Sequence, residues 1–337
     1  MALAKRAVAE LVAPPTANLI RTPLNAAPTK GKTIVYLQCT DGEQCALIGQ
    51  GVKAAAGTVG WNVKTVDFQE SNPSTLAAGL RLALQYHPVA SIVVGVPYAL
   101  WSSVVPAYAQ AGVDILPLAV GAAPVTRTVL PQVNGTAYQE QQGDDLANWV
   151  IADSDGNAHV LVLMVPAYAV LSSFLSAFRS TVNSRCPHCT ISVVNATIPQ
   201  IDGNQTNGLI VSALQKDPKL GYFVSSDSVF VNGLPQALSG AGMGSRVKIG
   251  GAAFGTEQIA DIKNGTESAW TGQPSVYSGW LAVDTILRSV EGMKVTGNEP
   301  LPEQLITRAN VESLKSTSYY IPPFDYQGQF ARTWKVA

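Results

Sequence analysis

From residue 33 onward this chain alternates between short apolar runs rich in β-branched residues and stretches with helical spacing, and that alternation restricts its fold more than any other feature. TIVYLQC (33–39), NVKTVDFQ (62–69), ASIVVGV (90–96) and VDILPLAV (113–120) read as strands. The segments between them, ALIGQGVKAAAGTVG, PSTLAAGLRLALQY and ALWSSVVPAYAQAG, read as helices. Strands that are apolar along their whole length, each followed by a helix, must be covered on both faces, which a parallel sheet between helical layers provides.

The pattern lapses at GAAPVTRTVLPQVNGT (121–136), a candidate crossover with two prolines and no helical period, and then resumes. AHVLVLMVP, TISVVNAT, LGYFVSS and RVKIGGAA read as strands of a second series, and a long helix is expected at YSGWLAVDTILRSVEG (277–292). A length of 337 residues suits two domains of roughly 150 residues each. The fold expected is therefore α/β, with two doubly wound parallel-sheet lobes joined by a multi-strand hinge. A Pro-rich extension occupies 1–30. The first lobe takes 31–123 plus about 274–300, and the second takes about 124–273 plus about 301–337 as a crossover tail.

Composition narrows the function. With 47% apolar and 13% charged residues the chain is globular and sparsely charged, and a net charge of -1 offers no footprint for nucleic acid or an anionic membrane. No stretch approaches the roughly 20 apolar residues needed to span a bilayer, so a soluble protein is expected. It is either cytoplasmic or a mature form whose export signal has been replaced by a starting Met.

The four cysteines come as two close pairs, Cys39 with Cys45 in CTDGEQC and Cys186 with Cys189 in CPHC. An even count in close pairs fits disulfides and an oxidising compartment. Zinc would need further ligands, but His87, His159 and His188 do not recur at ligand spacing near Cys39. CPHC has the spacing of a redox centre yet follows a helix instead of opening one, where a thiolate is stabilised. Both pairs are read as staples, the first fixing the turn after the first strand.

Catalytic motifs are missing or misplaced. GAGMGS (240–245) ends a helix and leads into a strand, the reverse of a phosphate-cradling loop. DSDGN (153–157) lacks the later Glu of a calcium loop. No nucleophile elbow, Walker or zinc-protease pattern occurs. What remains is a set of polar and aromatic residues expected at the carboxyl ends of strands, where open α/β sheets bind ligands. These are Asp41, Glu43, Gln44, Tyr98, Trp101 and Tyr138 in the first half, and Tyr168, Ser172, Phe174, Ser226, Phe254, Trp270 and Gln273 in the second.

In this order the elements resemble the type I periplasmic, or extracellular, solute-binding proteins of ABC transporters, the ribose-binding group that shares its lobes with LacI-type repressors. The telling pieces are the segment from KTIVYLQC to VASIVV with its DFQESN step, GLIVSALQKDPKLGYFVSSDSV and IKNGTESAWTGQP. The resemblance implies a small molecule captured by hinge closure and delivered to an ABC permease, with no cofactor, no metal, no catalysis and no nucleic acid. It also implies a monomer in an extracytoplasmic location, either periplasmic or at the cell surface, with a lipid anchor one native form. Asp41, Glu43, Gln44, Tyr98, Ser226 and Gln273 fall at the family's contact positions. The charged sugar-binding partners do not: Ala119-Val120, Ser172-Ser173 and Ala253-Phe254 stand in their places. A modified sugar or a less polar solute, such as an aromatic or alicyclic acid, is expected instead. A ligand-sensing regulator with the same lobes and an α/β hydrolase-type enzyme are the rival readings.

Overall fold

The computed structural model describes all residues except 18, 19, 21, 41, 42, 70, 71, 73 and 298–300. In chain order its first elements are α1 (Ala2–Val12), β1 (Thr33–Cys39), α2 (Glu43–Thr58), β2 (Asn62–Phe68), α3 (Ser74–Ala83), β3 (Ala90–Val94), α4 (Val105–Ala111) and β4 (Asp114–Leu118). There follow α5 (Thr136–Asp153), β5 (His159–Met164), α6 (Leu171–Arg185), β6 (Thr190–Asn195), α7 (Ile198–Asp202), α8 (Thr206–Lys216), β7 (Tyr222–Ser225) and α9 (Leu234–Gly240). The last are β8 (Lys248–Gly251), α10 (Thr256–Asn264), β9 (Ala269–Thr271), α11 (Ser275–Val290), β10 (Leu305–Thr307) and α12 (Tyr326–Thr333).

These elements form two α/β units. The four-stranded unit comprises Thr16–Tyr138, Pro274–Pro302 and Phe324–Ala337. Its sheet runs in the order β2-β1-β3-β4, parallel throughout. Ile34 to Leu37 and all of β3 are buried, as two-sided cover requires, while β2 at the edge is mostly exposed. The lapse at 121–136 is not free of sheet structure: Val129 and Val133 bridge Ile115 and Leu118 in parallel, and the segment belongs to this unit, not to the other. Two prolines and the lack of alternation hide such a strand-like edge from pattern reading.

Helix α11 is the spine of this unit, with Ser275 to Arg288 all buried. It lies close against α2 because Gly51 and Gly279 meet at the crossing. A Cβ on Gly279 would lie 2.5 Å from the Val52 nitrogen, and one on Gly51 would strike the Val276 carbonyl oxygen. The expected tail in the second lobe divides. Phe324–Ala337 joins the four-stranded unit, where Phe330 and Trp334 pack on Trp280 at 5.8 and 5.4 Å between ring centroids. Polar contacts fix the arrangement: Asp284 accepts from Arg288 Nε at 2.7 Å and from Trp334 Nε1 at 2.7 Å.

The six-stranded unit comprises Met1–Pro15, Gln139–Gln273 and Glu303–Pro323. Its order is β10-β9-β8-β7-β5-β6, parallel except for the antiparallel β10, a three-residue strand too short to leave a periodic signal. Gly250 and Gly251 on β8 open both faces to indole rings: a Cβ on either would lie 2.6 Å from the ring of Trp149 or Trp270, respectively. The start of the supposed extension is a helix, α1. Ala4, Val8 and Leu11 press it onto the core of this unit, and the Val12 carbonyl accepts from Gln304 Nε2 at 2.8 Å. That spacing of four and then three residues is a helical face, outweighed in the sequence by the prolines that follow it.

Candidate functional site

Both disulfides form. Cys39–Cys45 joins the carboxyl end of β1 to the first turn of α2, with 5.8 Å between the Cα atoms. Asp41 lies outside the described residues. Glu43 is exposed at the start of α2, and Gln44 is half-buried, its Oε1 accepting from Ser275 Oγ at the start of α11. Cys186–Cys189 follows the carboxyl end of α6 and leads into β6, with the Ala158 N–H donating to Cys189 Sγ at 3.4 Å. No free cysteine remains. GAGMGS ends α9 and runs on to β8.

In the four-stranded unit, Tyr98 is half-buried in the turn after β3, its ring edge-on to Trp101 at 4.8 Å. Trp101 is wholly buried and its Nε1 donates to the Val96 carbonyl at 3.0 Å, so the indole supports Tyr98 from within the core and presents no polar group of its own. Tyr138, in the first turn of α5, is buried. Ala119 adopts φ 52° at the end of β4, and its N–H donates to the Val133 carbonyl at 3.0 Å.

In the six-stranded unit, Tyr168 follows β5 and stacks on Phe230 at 6.1 Å. Ser172 is exposed at the start of α6, its hydroxyl donating to the Ala169 carbonyl at 2.7 Å. The two share a hollow. Phe174 points elsewhere, into the core against Phe178, and Trp270 is likewise wholly buried over β8. The expectation that Trp101, Phe174 and Trp270 meet a solute is corrected to a packing role, because rings of that size at full burial have their faces occupied by neighbours. Phe254, after β8, is buried edge-on to Tyr320 at 6.2 Å, and Gln273 is the half-buried last residue of its segment of this unit. Ser226 follows β7.

Several buried polar atoms are left without a partner among the described residues, including groups on helices such as Trp280 Nε1 and Asn207 Oδ1 and a few near the carboxyl edges of the sheets. Ser226 Oγ, both amide atoms of Asn134 and Oε1 of Gln139 are buried and meet no hydrogen-bond partner among the described residues. A buried polar group without a partner costs on the order of 1–3 kcal/mol, so a water or a bound molecule that completes the bond is favoured at such a position. Ser226 was expected from the sequence. Asn134 and Gln139 were not; Asn-Gly at 134–135 reads as an ordinary turn, although Asn134 at φ 51° sits directly after the residue bridged to the end of β4.

Two buried carboxyl groups of the six-stranded unit are shifted. Burial pushes Asp145 up, with the charge of Asp144 adding to it and hydrogen bonding from Glu303 opposing it. Burial, then the negative charge of Asp261, pushes Glu267 up to about 8. Glu267 lies in the turn leading into β9, at the amino end of that strand, away from the carboxyl ends where the orphaned hydroxyl of Ser226 is found.

Two α/β units built on largely parallel sheets, with a partnerless buried hydroxyl at Ser226 directly after β7, have the architecture in which open α/β folds bind small molecules at the carboxyl edge of the sheet. Residues 34–294 match the periplasmic binding protein domain family, and the chain belongs to that family. Among solved structures it is similar to a 5-methylthioribose transporter solute-binding protein from Thermotoga lettingae, at 16% identity over 94% of this chain and 95% of that one, with a TM-score of 0.73. A glucose-galactose binding protein from Geobacillus stearothermophilus is similar at 18% identity over 84% and 99% of the two chains, TM-score 0.72. The arabinose-binding component from Shewanella sp. ANA-3 matches at 16% identity over 84% and 94%, TM-score 0.72. At these identities the likeness shows the fold. No curated protein matches the sequence.

Proposed function

We propose that this protein is an extracytoplasmic solute-binding receptor of an ABC importer, which takes up a small carbon source by hinge closure and hands it to a membrane permease. The observation that carries this reading is family membership over residues 34–294 together with orphaned polar groups at strand ends, Ser226 and Asn134 foremost. Glu43, Gln44, Tyr98, Tyr138, Tyr168, Ser172, Phe254 and Gln273 are the further contacts proposed, with Asp41 carried over from the sequence alone. The receptor works as a monomer without cofactor, at the periplasmic or cell surface, where two disulfides persist. Similar structures were solved with 5-methylthioribose, allitol, D-arabinose and arabinofuranose, which places polyols and modified sugars beside less polar acids in the panel to be tested.

A ligand that prefers the closed state must both stabilise and compact the protein. A thermal-shift screen over sugars, polyols and small acids, followed by solution scattering with the best binder, tests this. A raised Tm with a smaller radius of gyration is expected; a saturating binder that leaves the scattering curve unchanged defeats the closure mechanism.

A further inference from the structure

The hollow shared by Tyr168 and Ser172 has a volume of about 460 Å³. It lies by the carboxyl ends of β5 and β6, within the roughly 300–1,000 Å³ range of small-molecule sites. Its lining is mixed. Met164, Pro166 and Leu175 supply apolar surface along with the ring of Tyr168, which stacks on Phe230. Ser176 and Arg179 of α6 and Asn195, the register partner of Met164 at the end of β6, supply the polar groups. Ser172, Ser176 and Arg179, spaced by four and three residues, share one face of α6, while Phe174, Phe178 and Val182 on the other face are buried in the core.

Arg179, exposed on α6, is the cation in the lining of this hollow. Among the described residues no carboxylate lies within ion-pair distance of its guanidinium, although the chain's other arginine on this helix, Arg185, is engaged by Asn148 at 2.7 Å. A guanidinium presents parallel N–H groups that match a carboxylate two-to-two and neutralise its charge, whereas a hydroxyl accepts the same N–H groups and leaves the cation uncompensated. With the Ser172 hydroxyl already committed to the Ala169 carbonyl, Ser176 and Asn195 are the side chains left to hold the second edge of an anion. One cation beside neutral polar groups and the apolar surface of Met164, Pro166 and Leu175 suits a single anionic head on a flat or compact hydrocarbon body.

We infer that this hollow is a carboxylate subsite, with Arg179 as its anchor, and that the solute is a small monocarboxylic acid with an aromatic or alicyclic body. This rests on the receptor reading and narrows it. The test is calorimetric titration of the full chain with benzoate and cyclohexanecarboxylate, alongside benzamide and cyclohexylmethanol as uncharged counterparts. The Arg179→Gln and Arg179→Lys variants are included, each checked for an unchanged circular dichroism spectrum and Tm. Acids that bind while their neutral counterparts do not, with affinity falling about ten- to a hundredfold in Arg179→Gln and partly kept in Arg179→Lys, are the expected result. Equal binding of acid and amide, or affinity unaffected by Arg179→Gln, overturns the inference. So does a protein that ignores the acids yet binds and compacts around a neutral sugar or polyol, and in that outcome the receptor reading stands. If no small molecule of either kind binds, both fall together.

Discussion

The hydroxyl of Tyr36 donates to the carbonyl oxygen of Cys45 at 2.6 Å, tying the interior of β1 to the far end of the Cys39–Cys45 loop. The loop that carries Glu43 and Gln44 is therefore held twice, once covalently and once through a buried tyrosine. A third hold reaches Gln44 from Ser275 on α11.

Replacing Cys39 and Cys45 together by Ser should lower stability by about 2 kcal/mol, the chain-entropy value for so short a loop. Solute affinity should fall further than Tm alone explains, because the loop then samples more conformations before binding. Chemical denaturation paired with titration of the confirmed solute measures both. Affinity equal to that of the parent protein would remove the loop from the proposed site.

The approach of α2 to α11 should tolerate no side chain. Gly279→Ala places a methyl among backbone atoms of α2 that cannot rotate away, so a loss of about 3 kcal/mol is expected. Gly57→Ala, at a position on α2 with nothing within 4 Å of the added carbon, should be neutral or slightly stabilising. Urea midpoints of the two variants compare them directly.

Stability should also depend on pH through Glu267. Its folded value of about 8 lies above the ordinary 4.5, so the folded protein holds a proton that the unfolded chain has released. The contribution is fully present below about pH 4.5 and is lost as pH rises through 8. Glu267→Gln, which keeps the shape and cannot ionise, should flatten the fall in Tm between pH 5 and 9. An unchanged slope in the variant would show that Glu267 ionises normally.

Ser226 separates a binding role from a structural one. Its buried hydroxyl has no partner among the described residues, so Ser226→Ala removes a desolvated polar atom and should leave the ligand-free Tm unchanged or slightly raised. The same change should weaken solute binding about three- to tenfold, the worth of one neutral hydrogen bond. A lower ligand-free Tm with unaltered affinity would make Ser226 a structural residue.

Much of the fold was legible because burial on both faces leaves a one-dimensional trace. Strands β1, β3, β5 and β7 had to be apolar along their length, and the helices between them had to carry one apolar face. The cysteine pairs were legible for a similar reason, since six and three residues bring two thiols within reach almost regardless of the surroundings. Elements that depend on distant partners left a fainter trace. Helix α1 needed the core of the six-stranded unit beneath Ala4 and Val8, and α12 needed Trp280 beneath Phe330 and Trp334.

The site shows the same division. Sequence order alone placed Tyr168, Ser172, Ser226 and Gln273 at or after strand ends, because in a parallel sheet every such end falls on one edge. How far an aromatic ring is buried is settled by what packs on its two faces, so the fully packed Trp101, Phe174 and Trp270 could be told apart from the half-buried Tyr168 only in three dimensions. Asn134 and Gln139 came to notice only from the buried polar atoms that folding leaves without a partner, a property no local pattern records. The succession of strands and helices, then, was written in local periodicity, which the chain carries residue by residue. Which buried polar groups stay without a partner in the chain was decided by tertiary structure, because a hydrogen bond is completed by whatever residue folding brings within about 3 Å, however far away it lies in sequence.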